Sequence, residues 1–176
     1  ANPEIATPQV AEALVELLSA EGDYMRSSAA YALRQMVEAN PEVATPQVAE
    51  ALLGLLSDEE SYVRYSAADT LGQVVVANPE IATPQVAETL LGLLIDEDSD
   101  VRERAVYALG EVLAANREVA PRVAEALVEL LTDEDEYVRY VATSALGEVI
   151  AANPEIATPQ VAEALVELLS AEGDYM

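Results

Sequence analysis

Apolar residues recur along this chain at helical intervals. Val10, Leu14, Leu17 and Leu18 stand at i, i+4, i+7 and i+8, one stripe on a helix of about three turns. Thr7 and Pro8 open it: the Thr hydroxyl can accept from an unpaired amide, and Pro at the first helical position forfeits a donor that would be unpaired anyway. Gly22 offers a left-handed residue to end it. This helix A is predicted over about Pro8 to Ser19, and Asn2-Pro3 marks a turn before it, because the residue preceding Pro is pushed out of the α region. A second stripe, clearest at Val101, Ala105, Ala108, Leu109 and Val112, predicts a helix B; Asp96-Glu97-Asp98 just ahead suits the unsatisfied amides of its N-terminus. Helices this short are marginal alone in water, so each must pack on its partner and on the next pair.

The two stripes return along the whole chain. Copies begin at Ala1, Ala39, Ala77, Ala115 and Ala152, a period of 38 residues shortened to 37 in the fourth, where a Thr is missing before Pro121. One domain of units 1–38, 39–76, 77–114, 115–151 and a half unit 152–176 follows, with about nine main helices. Gly72, Gly110 and Gly147 fall late in helix B, where either a neighbouring helix comes close or a Gly is simply tolerated near the helix end. The first unit has Arg34 there, and Ala20 and Gly22 in its turn, the irregularity of a terminal repeat.

An apolar helix, then Asp-x-x-x-x-x-Arg, then Ala-x-x-x-Leu-Gly, resembles HEAT-type repeats, closest to the short variety named after phycobilisome lyases, and the resemblance covers the chain. It implies an all-α fold, a right-handed α-solenoid of stacked antiparallel helix pairs with helix B toward the concave side. It also implies a hydrogen-bonded ladder from repeat to repeat, formed by a turn Asp and an early helix-B Arg; the matching pairs here are Asp58 with Arg64, Asp96 with Arg102 and Asp133 with Arg139. Ala20 ahead of Arg26 would leave that ladder incomplete at the first unit. An accessory tetrapyrrole lyase-like role is a distant alternative, since nothing beyond the repeat matches the lyases.

Composition narrows the function. Apolar residues make up 52% of 176, enough for one continuous core, and no run approaches the ~18 residues of a membrane span. There are 33 acidic residues against 8 basic, all Arg, for a net charge of -25. Such a field repels phosphate backbones and anionic lipid, so neither nucleic acid nor membrane is expected as a partner, and it steers a basic protein or peptide inward. No export signal opens the chain, which makes the cytoplasm the default compartment, although Ala1 is not an initiator Met. Without His or Cys the usual acid–base and nucleophilic constellations cannot be assembled, so no catalytic residue and no cofactor is assigned. Asp96, Asp98 and Asp100 alternate like a calcium loop, yet Val101 and Tyr107 stand where Gly and a bidentate Glu are needed, and no metal site is assigned.

Recognition should lie where equivalent positions differ. Val63, Val101 and Val138 line up with Met25 as a core column. Two other columns vary: Ser27, Tyr65, Glu103, Tyr140 and Tyr31, Asp69, Tyr107, Ser144. All eight Tyr lie at or beside helix B. Tyr31, Tyr65, Glu103, Tyr107 and Tyr140 are therefore the candidate binding residues, for a basic peptide or protein face with cation–π contacts available. The plainer alternative is that a Tyr at a helix start lies over its neighbour. Arg117 and Arg122 form a basic spot near a helix N-terminus, where a neighbouring acidic turn is expected to neutralise them. Residues 1–25 and 152–176 are identical, and the second copy lacks its helix B. Head-to-tail or swapped self-association through these segments is one expectation; an excised or engineered array with no native activity is another.

Overall fold

A computed structural model describes residues 6–133, 136–159, 161–163 and 165–166. All regular structure among them is helical. The A helices are α1 (Pro8–Leu17), α3 (Pro46–Leu55), α5 (Pro84–Gly92) and α7 (Ala120–Leu130); the B helices are α2 (Asp23–Ala39), α4 (Ser61–Ala77), α6 (Ser99–Ala115) and α8 (Glu136–Ala152). Further helical residues follow at 159, 161–163 and 165–166. Each pair packs antiparallel, and successive pairs stack as an α-solenoid. No helix among the described residues is long and apolar enough to cross a membrane.

The caps are those the sequence predicts. The hydroxyls of Thr7, Thr45 and Thr83 accept from the amides of Val10, Val48 and Val86, with Pro next in line. The end of helix A differs from expectation. Gly22 is extended (φ -87°) and stands at the N-cap of α2, and no described residue has a positive φ. Helix A instead tightens through bonds from the Leu18, Ser19 and Ala20 amides to the Val15, Glu16 and Leu17 carbonyls, which closes its end two residues before Ser19 without a left-handed residue.

One Leu from each of α2 to α8 enters the core: Leu33, Leu52, Leu71, Leu90, Leu109, Leu127 and Leu146, all at most 2% exposed. Their spacing is half a repeat, which is why A and B helices share one continuous interior rather than a core per unit. The Val63, Val101 and Val138 column is buried, whereas Met25, its first-unit member, is half exposed. An ideal Cβ on Gly72 would lie 3.5 Å from the Ala108 backbone, so α4 and α6 do come close there; at Gly147 nothing lies within 4 Å.

A second set of contacts, not anticipated, runs through the Asn-Pro turns. Nδ2 of Asn40, Asn78 and Asn116 donates to the carbonyl of Ala6, Ala44 and Ala82 in the preceding unit at 2.7–2.8 Å, while Oδ1 accepts from the amide two residues on. The missing Thr ends this series. Without it Ala120 becomes helical (φ -58°, ψ -42°) instead of turning as Ala44 and Ala82 do, α7 starts with no side-chain cap, and Asn153 makes no such bond among the described residues. Arg122 is neutralised by Glu88 on the face of α5, not by an acidic turn, because the shortened entry lays it beside that helix; Arg117 stays exposed. Pairing through 152–176 falls largely outside the described residues.

Candidate functional site

The B helices pack on one another along the stack while neighbouring A helices scarcely meet. The varied columns of helix B therefore line the wall formed by this closely packed layer. The turn Asp and helix-B Arg that flank this wall are joined twice over. Within a unit, Nη1 of Arg64, Arg102 and Arg139 donates to the backbone carbonyl of Asp58, Asp96 and Asp133. Between units, the carboxylate partner is the next Asp along: Arg26 forks onto Asp58 at 2.7 and 2.9 Å, and Arg64 onto Asp96 at 2.7 and 2.8 Å.

Two expectations about the ladder are thereby corrected. Side-chain pairing joins Arg64 to Asp96 rather than to Asp58, because the long guanidinium crosses the junction and leaves only the carbonyl for its own turn. The first unit is complete without an Asp at Ala20, since Arg26 points forward and also binds the Ala20 and Glu21 carbonyls. Among the described residues Arg102 has no such forked pair: its Cζ lies 4.3 Å from the centre of the Tyr137 ring, and its Nε finds no acceptor there. The Arg26 guanidinium beside Asp58 holds that carboxyl below the usual range. Asp98 is likewise held low, by the Ser61 hydroxyl first and also by the Asp100 and Val101 amides it caps. Asp96 and Asp98, the carboxylates that alternate like a calcium loop, are thus engaged by Arg64 and by helix capping.

Across the middle of the wall runs a charge bridge that column-by-column comparison passes over. Asp69 on α4 is 7% exposed and receives Arg34 of α2 and Arg104 of α6, each at 3.1 Å. Arg34 also meets Glu38 at 3.2 Å, and Arg104 donates to the Tyr65 hydroxyl at 3.0 Å with its Cζ 5.1 Å from that ring's centre. The signal was present in the chain: Arg34, Asp69 and Arg104 are 35 residues apart, one helical turn short of a repeat, which sets them on a diagonal across three B helices.

The candidate tyrosines divide. Tyr24 stacks on Tyr62 (centroids 5.6 Å apart), whose hydroxyl donates to Asp23, pushing the Tyr62 pKa up and the Asp23 pKa down; these two do lie over a neighbour. Tyr65 is half-buried under Arg104, and Tyr31 stands 57% exposed on α2. Glu103, Tyr107 and Tyr140 come together between α6 and α8, in a cleft of about 650 Å³ that Tyr137, Glu111 and Glu148 also line. Its floor is Val106, Gly110 and Val141. Tyr107 is 44% and Tyr140 68% exposed. The charge of Glu111, then burial and a hydrogen bond to the same carboxylate, push the Tyr107 hydroxyl up. Tyr137, Glu111 and Glu148 were absent from the sequence-derived set because their columns were not singled out as varying. Chemically, the cleft offers a cation the exposed Tyr140 ring and three carboxylates; Tyr137 already carries Arg102, and the Arg104 Cζ lies 5.6 Å from the Tyr107 ring centre.

The family model described as HEAT repeats matches residues 13–110 and again 49–147. No curated protein sequence matches the chain. Among solved structures, an engineered protein is 32% identical with a TM-score of 0.68, over 88% of this chain and 69% of that one. A second engineered protein is 26% identical with a TM-score of 0.67, over 90% and 68%. The complex of CpcE and CpcF of phycocyanin lyase from Nostoc sp. is 21% identical with a TM-score of 0.58, over 93% and 91%, and at that identity shares the fold alone.

Proposed function

The chain belongs to the HEAT-repeat family, whose members suit it to a non-enzymatic role as a protein-interaction scaffold, and from that premise we propose that its concave helix-B wall binds a basic peptide or the basic face of a protein. The observation that supports this most is the α6–α8 cleft, where Tyr107, Tyr137 and Tyr140 face Glu103, Glu111 and Glu148 within a chain of net charge -25. Exposed aromatic rings give contact area at low entropic cost, and carboxylates around them favour a cation that the whole molecule's field has already drawn in.

Fluorescence anisotropy with a labelled Arg- and Lys-rich peptide tests the proposal. Binding should weaken at least about tenfold between 0.05 and 0.5 M salt and fall further in Tyr140→Ala. Affinity indifferent to salt, or an acidic peptide bound equally well, would refute it. A second reading rests on the two engineered structural neighbours: the chain would be an array of that kind with no native activity. Retention of a specific basic ligand from an extract favours the first reading, and its absence favours the second.

A further inference from the structure

Two neighbouring grooves on the helix-B wall follow one plan and differ in one occupant. In the α4–α6 groove, Tyr65 and Asp69 stand one turn apart on α4, and Arg104 from α6 fills the space between them: 3.1 Å from the carboxylate, 3.0 Å from the hydroxyl, its Cζ 5.1 Å from the ring centre. One repeat on, the same two positions of α6 are Glu103 and Tyr107, again a carboxylate and a tyrosine one turn apart, in exchanged order. The position equivalent to Arg104 is Val141, and the groove that closes around Arg104 on one side of α6 is an open cleft of about 650 Å³ on the other.

We infer that the α6–α8 cleft is a receptor for a single arginine side chain of a partner, taking from outside the group that Arg104 supplies from within. The inference rests on the basic-partner proposal and narrows it. A guanidinium is planar, so it can lie on the exposed Tyr140 ring while its forked N–H groups reach the Glu103 and Glu148 carboxylates; a lysine ammonium meets the charge but cannot stack. The molecule uses this combination already, in Arg104 over Tyr65 and in Arg102 over Tyr137. Among the described residues no ion pair joins these carboxylates to a cation: Arg104 is committed to Asp69 and Tyr65, with its Cζ 5.6 Å from the Tyr107 ring centre, and Arg102 to Tyr137 and the Asp96 carbonyl.

Two short peptides, acetyl-Gly-Arg-Gly-amide and acetyl-Gly-Lys-Gly-amide, provide the test in NMR titrations of the whole chain. The arginine peptide should shift the amides of Val106, Tyr107 and Ser144 and bind about tenfold more tightly than the lysine peptide. Val141→Arg should supply the guanidinium in cis and abolish binding of the arginine peptide; should that variant not fold, Glu103→Gln, at an exposed position, should weaken the arginine peptide about fivefold or more. Equal affinity for the two peptides, arginine binding that survives in folded Val141→Arg, or arginine binding unaltered in Glu103→Gln overturns the arginine assignment and leaves the basic-partner reading standing. No binding of either short peptide, or of the longer basic one, removes both.

Discussion

The junctions on the two sides of α6 are built from nearly the same sequence and hold together differently. Toward α4, Arg64 forks onto Asp96, Asn78 reaches back to Ala44, Arg104 closes the groove, and the backbones approach near Gly72. Toward α8, the Asn116 bond to Ala82 remains, but Arg102 has turned to Tyr137 and the two B helices pack more loosely. The lesson is that cohesion and recognition draw on the same residue types. Where a Tyr and a carboxylate find a cation inside the chain they fasten two repeats; in the α6–α8 cleft the proposed role is to take one from a partner.

The largest effect should come from cutting the tight junction. Arg64→Ala leaves the Asp96 carboxylate, 8% exposed, without its guanidinium and should cost about 3 kcal/mol in urea unfolding. Arg102→Ala, at the equivalent place on the loose side, loses a ring contact and a carbonyl bond and should cost about 1 kcal/mol. Equal losses would erase the comparison. A smaller change would make the fourth unit more like the others: a Thr inserted between Ala120 and Pro121 restores the cap of α7 and frees the Ala120 carbonyl for Asn153, for a gain of about 1 kcal/mol. A melting temperature that fails to rise would show that the deletion is not what loosens this end.

The smallest effect is a pH dependence at the first, regular junction. Asp58 titrates below the ordinary carboxylate range because Arg26 bonds it, so its contribution is fully present above the unfolded pKa and disappears as pH falls through the lower, folded one. Asp58→Asn should therefore melt below the parent chain at neutral pH and together with it once the pH has fallen below the lowered, folded pKa. A gap that persists in acid would assign the rung to packing rather than to charge.

The solenoid was legible because its determinants are local: a Thr-Pro pair fixes where α1, α3 and α5 begin, and the spacing of apolar residues fixes which face is buried. The ladder's residues were legible too, but not its direction, since Asp58 lies six residues before Arg64 and Asp96 lies 32 after it, and a repeating sequence cannot say which one a long side chain reaches. Gly22 misled because a glycine after a helix signals a left-handed ending only if the chain does not first tighten its last turn. Comparing equivalent positions found Glu103, Tyr107 and Tyr140, which the structure brings together. The same comparison listed Asp69 among the varying positions but did not pair it with Arg104, because their contact runs obliquely between columns and shows only once the helices are laid side by side.

The two ladders also have a mechanical consequence. Arg64 reaches forward from the first turn of α4, and Asn78 reaches back from the turn between units, so the junction of the second and third units is pinned along both margins of the rod and bends as a beam. The next junction keeps its Asn116 bond on one margin, while among the described residues the other margin holds Arg102 over the Tyr137 ring in place of a forked ion pair, which makes it the more compliant of the two, with the cleft beside it. Tension on the ends of the rod would be taken up there first, and whatever seats itself in the gap would act as the latch.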